Sequence, residues 1–374
     1  MSLASDPRVG LRFRAARKRA RLTQEELAGA LGLRHRQTIA SIESGERPLS
    51  ARELVSAMDV LGVDLDYFTD PFRLVGEGQF SFRTSTGVAG AVLDDFEDCA
   101  GRWIAMYREL SLEQGFEPRW LESKLALTAG SSFEDAQASG ESVADRWQLG
   151  SCPAAKLRSA MESRASILVL DVDTPPGVSG AASRVPGLSC VLVNRNDPER
   201  RRNFDLAHEL FHLLTWDAMP PERTEDVSVP RTGKGWRVER LAENFAAAIL
   251  MPEKMLRQRW ERSAGETGIH QRINEIADDF RVSGTACKWR LHNAGLLAGS
   301  DLAEIDDRRF VANGHTTDPP PEVPAFSKPF IDRVVVALDA GRLSVRRAAT
   351  LLGLSLADLV SLIRGYGHET YFEA

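Results

Sequence analysis

Phe204-Asp205-Leu206-Ala207-His208-Glu209-Leu210-Phe211-His212-Leu213-Leu214-Thr215-Trp216 is the stretch from which the rest of the chain is best read. On a helix, Phe204, Leu206, Ala207, Leu210, Phe211 and Leu214 supply a broad buried face, and His208 and His212 stack one turn apart on one side. That is metal-ligand spacing. Two neutral imidazoles so placed bind one Zn²⁺ at roughly 2.0–2.1 Å, with Glu209 beside them as general base toward the water to be activated. The alternatives are chance and a pair of core histidines, which would need hydrogen-bond partners in place of a metal.

A catalytic zinc needs a third protein ligand and keeps a fourth position open. The candidate lies in Trp236 to Pro252, a predicted helix apolar at Leu241, Ala242, Phe245, Ala246, Ile249 and Leu250 and stopped by Pro252. Glu239 stands on its first turn and is assigned as the third ligand. Glu243, one turn later on the same side, is assigned as the carboxylate that orients a ligating imidazole. For either glutamate alone, a solvated helix face is the alternative.

His-Glu-Leu-Phe-His followed by Glu239-x-x-Ala242-x-x-Phe245-Ala246-x-x-Ile249-Leu250-Met251-Pro252 resembles the ImmA/IrrE metallopeptidases, whose pattern is close to HELGH and then ExxAxxFAxxLLMP. The lead-in from Val193 to Asp197 and from Arg201 to Ala207 is similar too. The chain departs from that pattern at Phe211, where glycine is usual, and at Glu243, where Asn or Asp is common. Phe211 is expected to add bulk beside the metal and narrow the cleft. The resemblance implies a zincin-like domain and gluzincin-like peptidase chemistry.

At 374 residues, with 43% hydrophobic and 27% charged composition, the chain has room for two or three ordinary globular domains. A net charge of −6 excludes a protein that is basic all over, so charge distribution matters more than the total. Cys99, Cys152, Cys190 and Cys287 lie far apart without a CxxC pair, which argues against a disulfide framework and for a reducing compartment. No run approaches 18 apolar residues and the N-terminus has no signal-like apolar core, so a cytoplasmic protein with no membrane partner is expected.

Arg8, Arg12, Arg14, Arg17, Lys18, Arg19 and Arg21 form a basic stripe without an acid among them. Behind it, Thr23 as N-cap with Glu26 three residues on makes a capping box for a short helix ending at Gly32. A turn at 34–37, with His35 in it, then leads to a second helix closed by Gly45. This is a helix-turn-helix, and it resembles the XRE/Cro pattern LTQEELA…TIxxIExGxR, with one residue more than usual between Gly32 and Glu43. In that motif the second helix enters the major groove. Arg36, Gln37, Thr38 and Ser41 are therefore the base-edge candidates, and Gln24, Arg17 and Arg19 the phosphate contacts. Leu54, Met58, Leu61, Leu65, Tyr67 and Phe68 should complete a five-helix core. A small helical dimerisation domain is the alternative for this region.

The expected fold is mainly α, of α+β type. It comprises an XRE-like domain over 1–70, a linker and helical segment over 71–150, a zincin-like domain with a small sheet over 151–315, and a small C-terminal helical module over 325–374. Residues 70–90 read as a linker or strap, 92–112 as a helix, 131–140 as a surface loop and 141–149 as a helix. Strands are expected at 166–172, 177–183 and 190–194, one of them an edge along the cleft for an extended peptide. Residues 273–291 read as a helical pair packed on the zincin, with a further helix-turn-helix unit as the alternative, and 318–324 as a proline-rich spacer.

Together the two resemblances imply a bacterial or phage-encoded regulator. It would be a homodimer on a double-stranded DNA operator, with a Zn²⁺ endopeptidase that cleaves an XRE-type repressor partner or itself in a stress, phage or mobile-element response. The competing class is a non-enzymatic XRE repressor or antitoxin, whose zincin-like domain senses a ligand or binds a partner such as a cognate toxin.

Overall fold

The computed structural model of the protein describes residues 7–85, 87–116, 124–226, 234–263, 268–310 and 322–371. The first five helices are α1 (Pro7–Arg19), α2 (Gln24–Ala30), α3 (Arg36–Glu43), α4 (Ala51–Leu61) and α5 (Leu65–Thr69). The Thr23 hydroxyl accepts from the Glu26 N–H, and the Glu26 carboxylate accepts from the Thr23 N–H at 2.7 Å, so the predicted capping box forms. Phe13, Leu27, Ile39, Ile42, Tyr67 and Phe68 fill the core between these helices. Leu65, expected inside, opens α5 and faces solvent.

The remainder is built on a five-stranded sheet in the order β2-β4-β3-β1-β5. Its strands are β1 (Gln79–Thr84), β2 (Ile167–Val172), β3 (Val178–Val185), β4 (Leu188–Asn194) and β5 (Thr224–Asp226). β2 and β4 run parallel, β3 is antiparallel to β4 and to β1, and β5 runs parallel to β1. β2 is buried at every residue, because helices cover both faces of the sheet. Side chains alternate between two cores. Ile167, Val169, Val191 and Val193 face one, and Leu168, Leu170, Cys190 and Leu192 face the other.

The first face carries α7 (Phe133–Arg146), α8 (Ala154–Arg164), α9 (Glu199–Thr215) and α10 (Lys234–Leu250). Around them lie α11 (Glu253–Arg262), α12 (Ile269–Phe280), α13 (Gly284–Asn293) and the short α14 (Gly299–Leu302). The second face is covered by α6 (Gly90–Glu113) together with α15 (Lys328–Asp339), α16 (Val345–Leu352) and α17 (Leu356–Gly365). Among the described residues, no single helix is long and apolar enough to cross a membrane.

Three stretches differ from their sequence reading. Residues 79–84, expected in a linker or strap, form β1 inside the sheet, with Phe80 and Phe82 in the second core and Arg83 turned to the opposite face. Residues 131–140, expected as a loop, are the start of α7, capped by Ser132 and Asp135. Their small side chains are explained by packing, since a Cβ on Gly140 would lie 2.6 Å from the Phe245 carbonyl oxygen on α10. The C-terminal helices form the lid of the second core, tied to the sheet where Phe326 N–H donates to the Asp171 carbonyl at 2.6 Å. The helical pair α12–α13 packs on the zincin core as expected, with the buried Arg290 donating to Gln137 of α7 and to the Met251 carbonyl. Most of the proline-rich spacer, residues 318–321, lies outside the described residues.

Candidate metal centre and DNA-binding helix

α9 lies against β3 and β4 and buries His208, Glu209 and His212 almost completely. α10 crosses it and brings Glu239 to the same point. The two imidazole Nε2 atoms are 3.1 Å apart. Glu239 places Oε2 3.3 Å from His208 Nε2 and Oε1 3.7 Å from His212 Nε2. Donors on a tetrahedral zinc at roughly 2.0–2.1 Å sit about 3.3 Å from one another, so these three residues fit that ion. Among the described residues this is the one His/Cys/Asp/Glu group with such spacing.

Electrostatics keeps the donors in ligating form. Burial, and then the Arg83 cation, depress the His208 pKa well below its ordinary value. Burial, and then His208, bring His212 down to about 3. Both rings are therefore neutral near pH 7, with lone pairs available. Glu209 is raised by burial, against the pull of Arg83. Both of its carboxylate oxygens are buried and accept no hydrogen bond from the described residues. In its ionised form a carboxylate so placed can take a proton from a water beside it.

Arg83 is the site residue that sequence reasoning missed. From β1 its Nη1 donates to Asp205 Oδ1 at 2.7 Å, one turn before His208 on α9, and its charge acts on Glu209, Glu239 and Glu243. The signal was the alternation of Phe80, Phe82 and Thr84 with Ser81 and Arg83, a short strand pattern between glycines. Outside the expected ligands, the structure does not bring Glu243 onto an imidazole. Its carboxylate accepts from Arg240 at 2.6 Å on the open side of α10. The neighbouring Asn244 is buried and joins α10 to α7, its side-chain oxygen accepting from Gln137 at 2.8 Å. Phe211 is fully buried and packs on Phe245 and edge-on against His212, so its bulk backs the ligand from the core side. The strand on the outer side of β1 is β5, which precedes α10 in the chain.

In the N-terminal domain, Arg36 and Gln37 are exposed on α3, with Thr38 and Ser41 half-buried behind them. His35 takes the N-cap position in the longer turn, without a side-chain cap hydrogen bond. Arg19 is exposed at the end of α1. Arg17 and Gln24 are drawn inward instead. Arg17 Nε donates to Glu43 at 2.5 Å and its Nη1 to the Leu22 carbonyl, while the Gln24 amide donates to Glu43 at 2.9 Å. Glu43 is buried, and an unpaired carboxylate there would be costly, which accounts for the two donors it draws.

A buried HExxH helix joined by a glutamate from the next helix, behind a helix-turn-helix, defines a regulator with a metallopeptidase-type domain. The family model described as the IrrE N-terminal-like domain matches residues 164–292, and the model described as helix-turn-helix matches residues 13–68. The chain is a fusion of an XRE-type helix-turn-helix domain with an IrrE-like peptidase domain. A search of the curated proteins finds no match to it.

Proposed function

We propose that the protein is a cytoplasmic, homodimeric transcriptional regulator that binds operator DNA through α3. In this reading its IrrE-like domain is a zinc-dependent endopeptidase, which cleaves an XRE-type repressor partner or its own chain during a stress, phage or mobile-element response. His208, His212 and Glu239 would hold the ion, whose chemistry when bound is to polarise the scissile carbonyl and lower the pKa of a water. Glu209 removes a proton from the attacking water and passes it to the leaving amine, and the raised pKa that burial gives it suits both transfers. Arg83 holds Asp205 and so fixes the register of β1 against α9.

The observation that carries this reading is the convergence of His208, His212 and Glu239 on one point, with Glu209, which feels the charge of Glu239, keeping both oxygens without a hydrogen-bond partner among the described residues. The test is Glu209→Gln in the full chain. Folding, zinc content and DNA binding are expected to persist, while a cleavage product formed by wild type with its repressor partner, or from its own chain, disappears. Equal cleavage by the variant, or unchanged promoter derepression in cells, counts against enzymatic function.

A further inference from the structure

At the β2 edge of the sheet, where α8 of the first face meets α6 and α15 of the second, a cavity of about 560 Å³ opens beside the starts of β2 and β4. That volume lies within the range of small-molecule sites, roughly 300–1,000 Å³. One part of its wall is apolar, from Tyr107, Phe116, Ile167, Leu168, Leu188 and Pro329. The other part is polar and buried. Arg108, 6% exposed, leaves Nη2 without a hydrogen bond among the described residues, and Ser111 one turn on is buried as well.

The charge around Arg108 is in positive excess. Its Nη1 lies 2.9 Å from Glu77 and its Nε 3.3 Å from Glu109. These two carboxylates also serve Arg12, 3.9 Å from Glu77, and Arg8, 2.8 Å from Glu109. Three guanidiniums thus share two carboxylates. Arg333 lines the rim, stacked over Phe116 at 3.4 Å. The acid of the cavity is Glu162, raised to about 7 by burial, so its negative charge is only partial at neutral pH.

We infer that this cavity is a binding site for a small amphipathic carboxylate, its head on Arg108 Nη2 and Ser111 and its apolar body along Phe116, Ile167 and Leu188. An orphaned buried guanidinium N–H is costly, and a carboxylate is the acceptor that satisfies it most strongly. The site is separate from the metal centre and does not depend on peptidase activity.

The test uses the full-length, zinc-loaded protein and isothermal titration with octanoate, decanoate and 4-phenylbutyrate, each paired with its primary amide. At least one carboxylate is expected to bind at one per chain and raise the melting temperature, with its amide roughly tenfold weaker. Ser163 is exposed on α8 at the cavity wall, so Ser163→Trp fills the space from outside. It should abolish binding while leaving the melting temperature of the ligand-free protein unchanged. Arg333→Gln should weaken the carboxylate more than the amide. Absence of binding by all three acids, equal binding of acid and amide, or full binding by a folded Ser163→Trp protein overturns the assignment.

Discussion

Arg83 of β1 donates to Asp205 of α9 at 2.7 Å, and both side chains are nearly shielded from water. The pair clamps an N-terminal strand onto the helix that carries His208, Glu209 and His212. A buried charge stripped of its partner is poorly tolerated, so Asp205→Ala is expected to cost on the order of 3–5 kcal/mol in urea unfolding. Arg83→Gln removes the cation that offsets the burial of Glu209. Its carboxyl should therefore titrate higher still, and the acidic limb of any cleavage profile should move to higher pH.

The proposed metal centre predicts a stoichiometry. Purified protein should hold about one zinc per chain, His208→Ala and Glu239→Gln should lose it, and Glu209→Gln should keep it. Elemental analysis is the measurement. Zinc retained in the Glu239 variant would remove that residue from the ligand set.

On DNA, the inward turn of Arg17 separates two kinds of arginine on α1. Arg19→Ala should weaken binding to all sequences alike and reduce the slope of log affinity against log salt by about 0.9. Gln37→Ala should change sequence preference at one or two base positions. Arg17→Ala should instead lower the melting temperature of the helix-turn-helix domain, since it leaves Glu43 without its main partner. Binding titrations at several salt concentrations, with calorimetry alongside, distinguish the three.

Glu43 also gives a pH dependence. Burial works to raise its pKa, but hydrogen bonds from Arg17 and Gln24 and the Arg17 charge outweigh it, and the net shift is downward from 4.5. The folded state then binds fewer protons than the unfolded one. Its stabilisation is present above pH 4.5 and is lost as pH falls through the lower folded value. Comparing wild type with Glu43→Gln by thermal unfolding at pH 7 and near pH 3 should show a gap that closes on the acid side.

At the crossing of α7 and α10, Gly140→Ala should be destabilising, although alanine is the better helix former. Its Cβ would stand 2.6 Å from a backbone oxygen, and overpacking of this kind costs typically about 1–3 kcal/mol. A variant as stable as wild type would mean that the two helices separate freely.

The sequence made the two motifs legible because each packs its chemistry into one continuous helix or helix pair. His208 and His212 need only a helix to meet, and Thr23 with Glu26 needs only a turn. What escaped depends on contacts distant in sequence. β1 has no identity until β3 pairs with it, and the short alternating stretch around Phe82 resembled a strap between glycines. The small residues of α7 read as loop because their purpose, close approach to Phe245 and Ala248, belongs to α10. Glu243 could not be told from an imidazole partner by helical phase alone, and Arg240 takes it.

The position of β1 in the sheet also sets an order of events during synthesis. The first five helices draw their buried core from residues 9–68 and have it all in hand as soon as that stretch leaves the ribosome. β1 follows at once, but its partner β3 ends at residue 185. At 5–20 residues per second its ladder stays open for about 5–20 s. A chain terminated between residues 85 and 177 would therefore be a helix-turn-helix domain trailing a bare strand that carries Phe80 and Phe82, a template for aggregation. Release of that domain by cutting within 71–78 would leave the strand with its sheet.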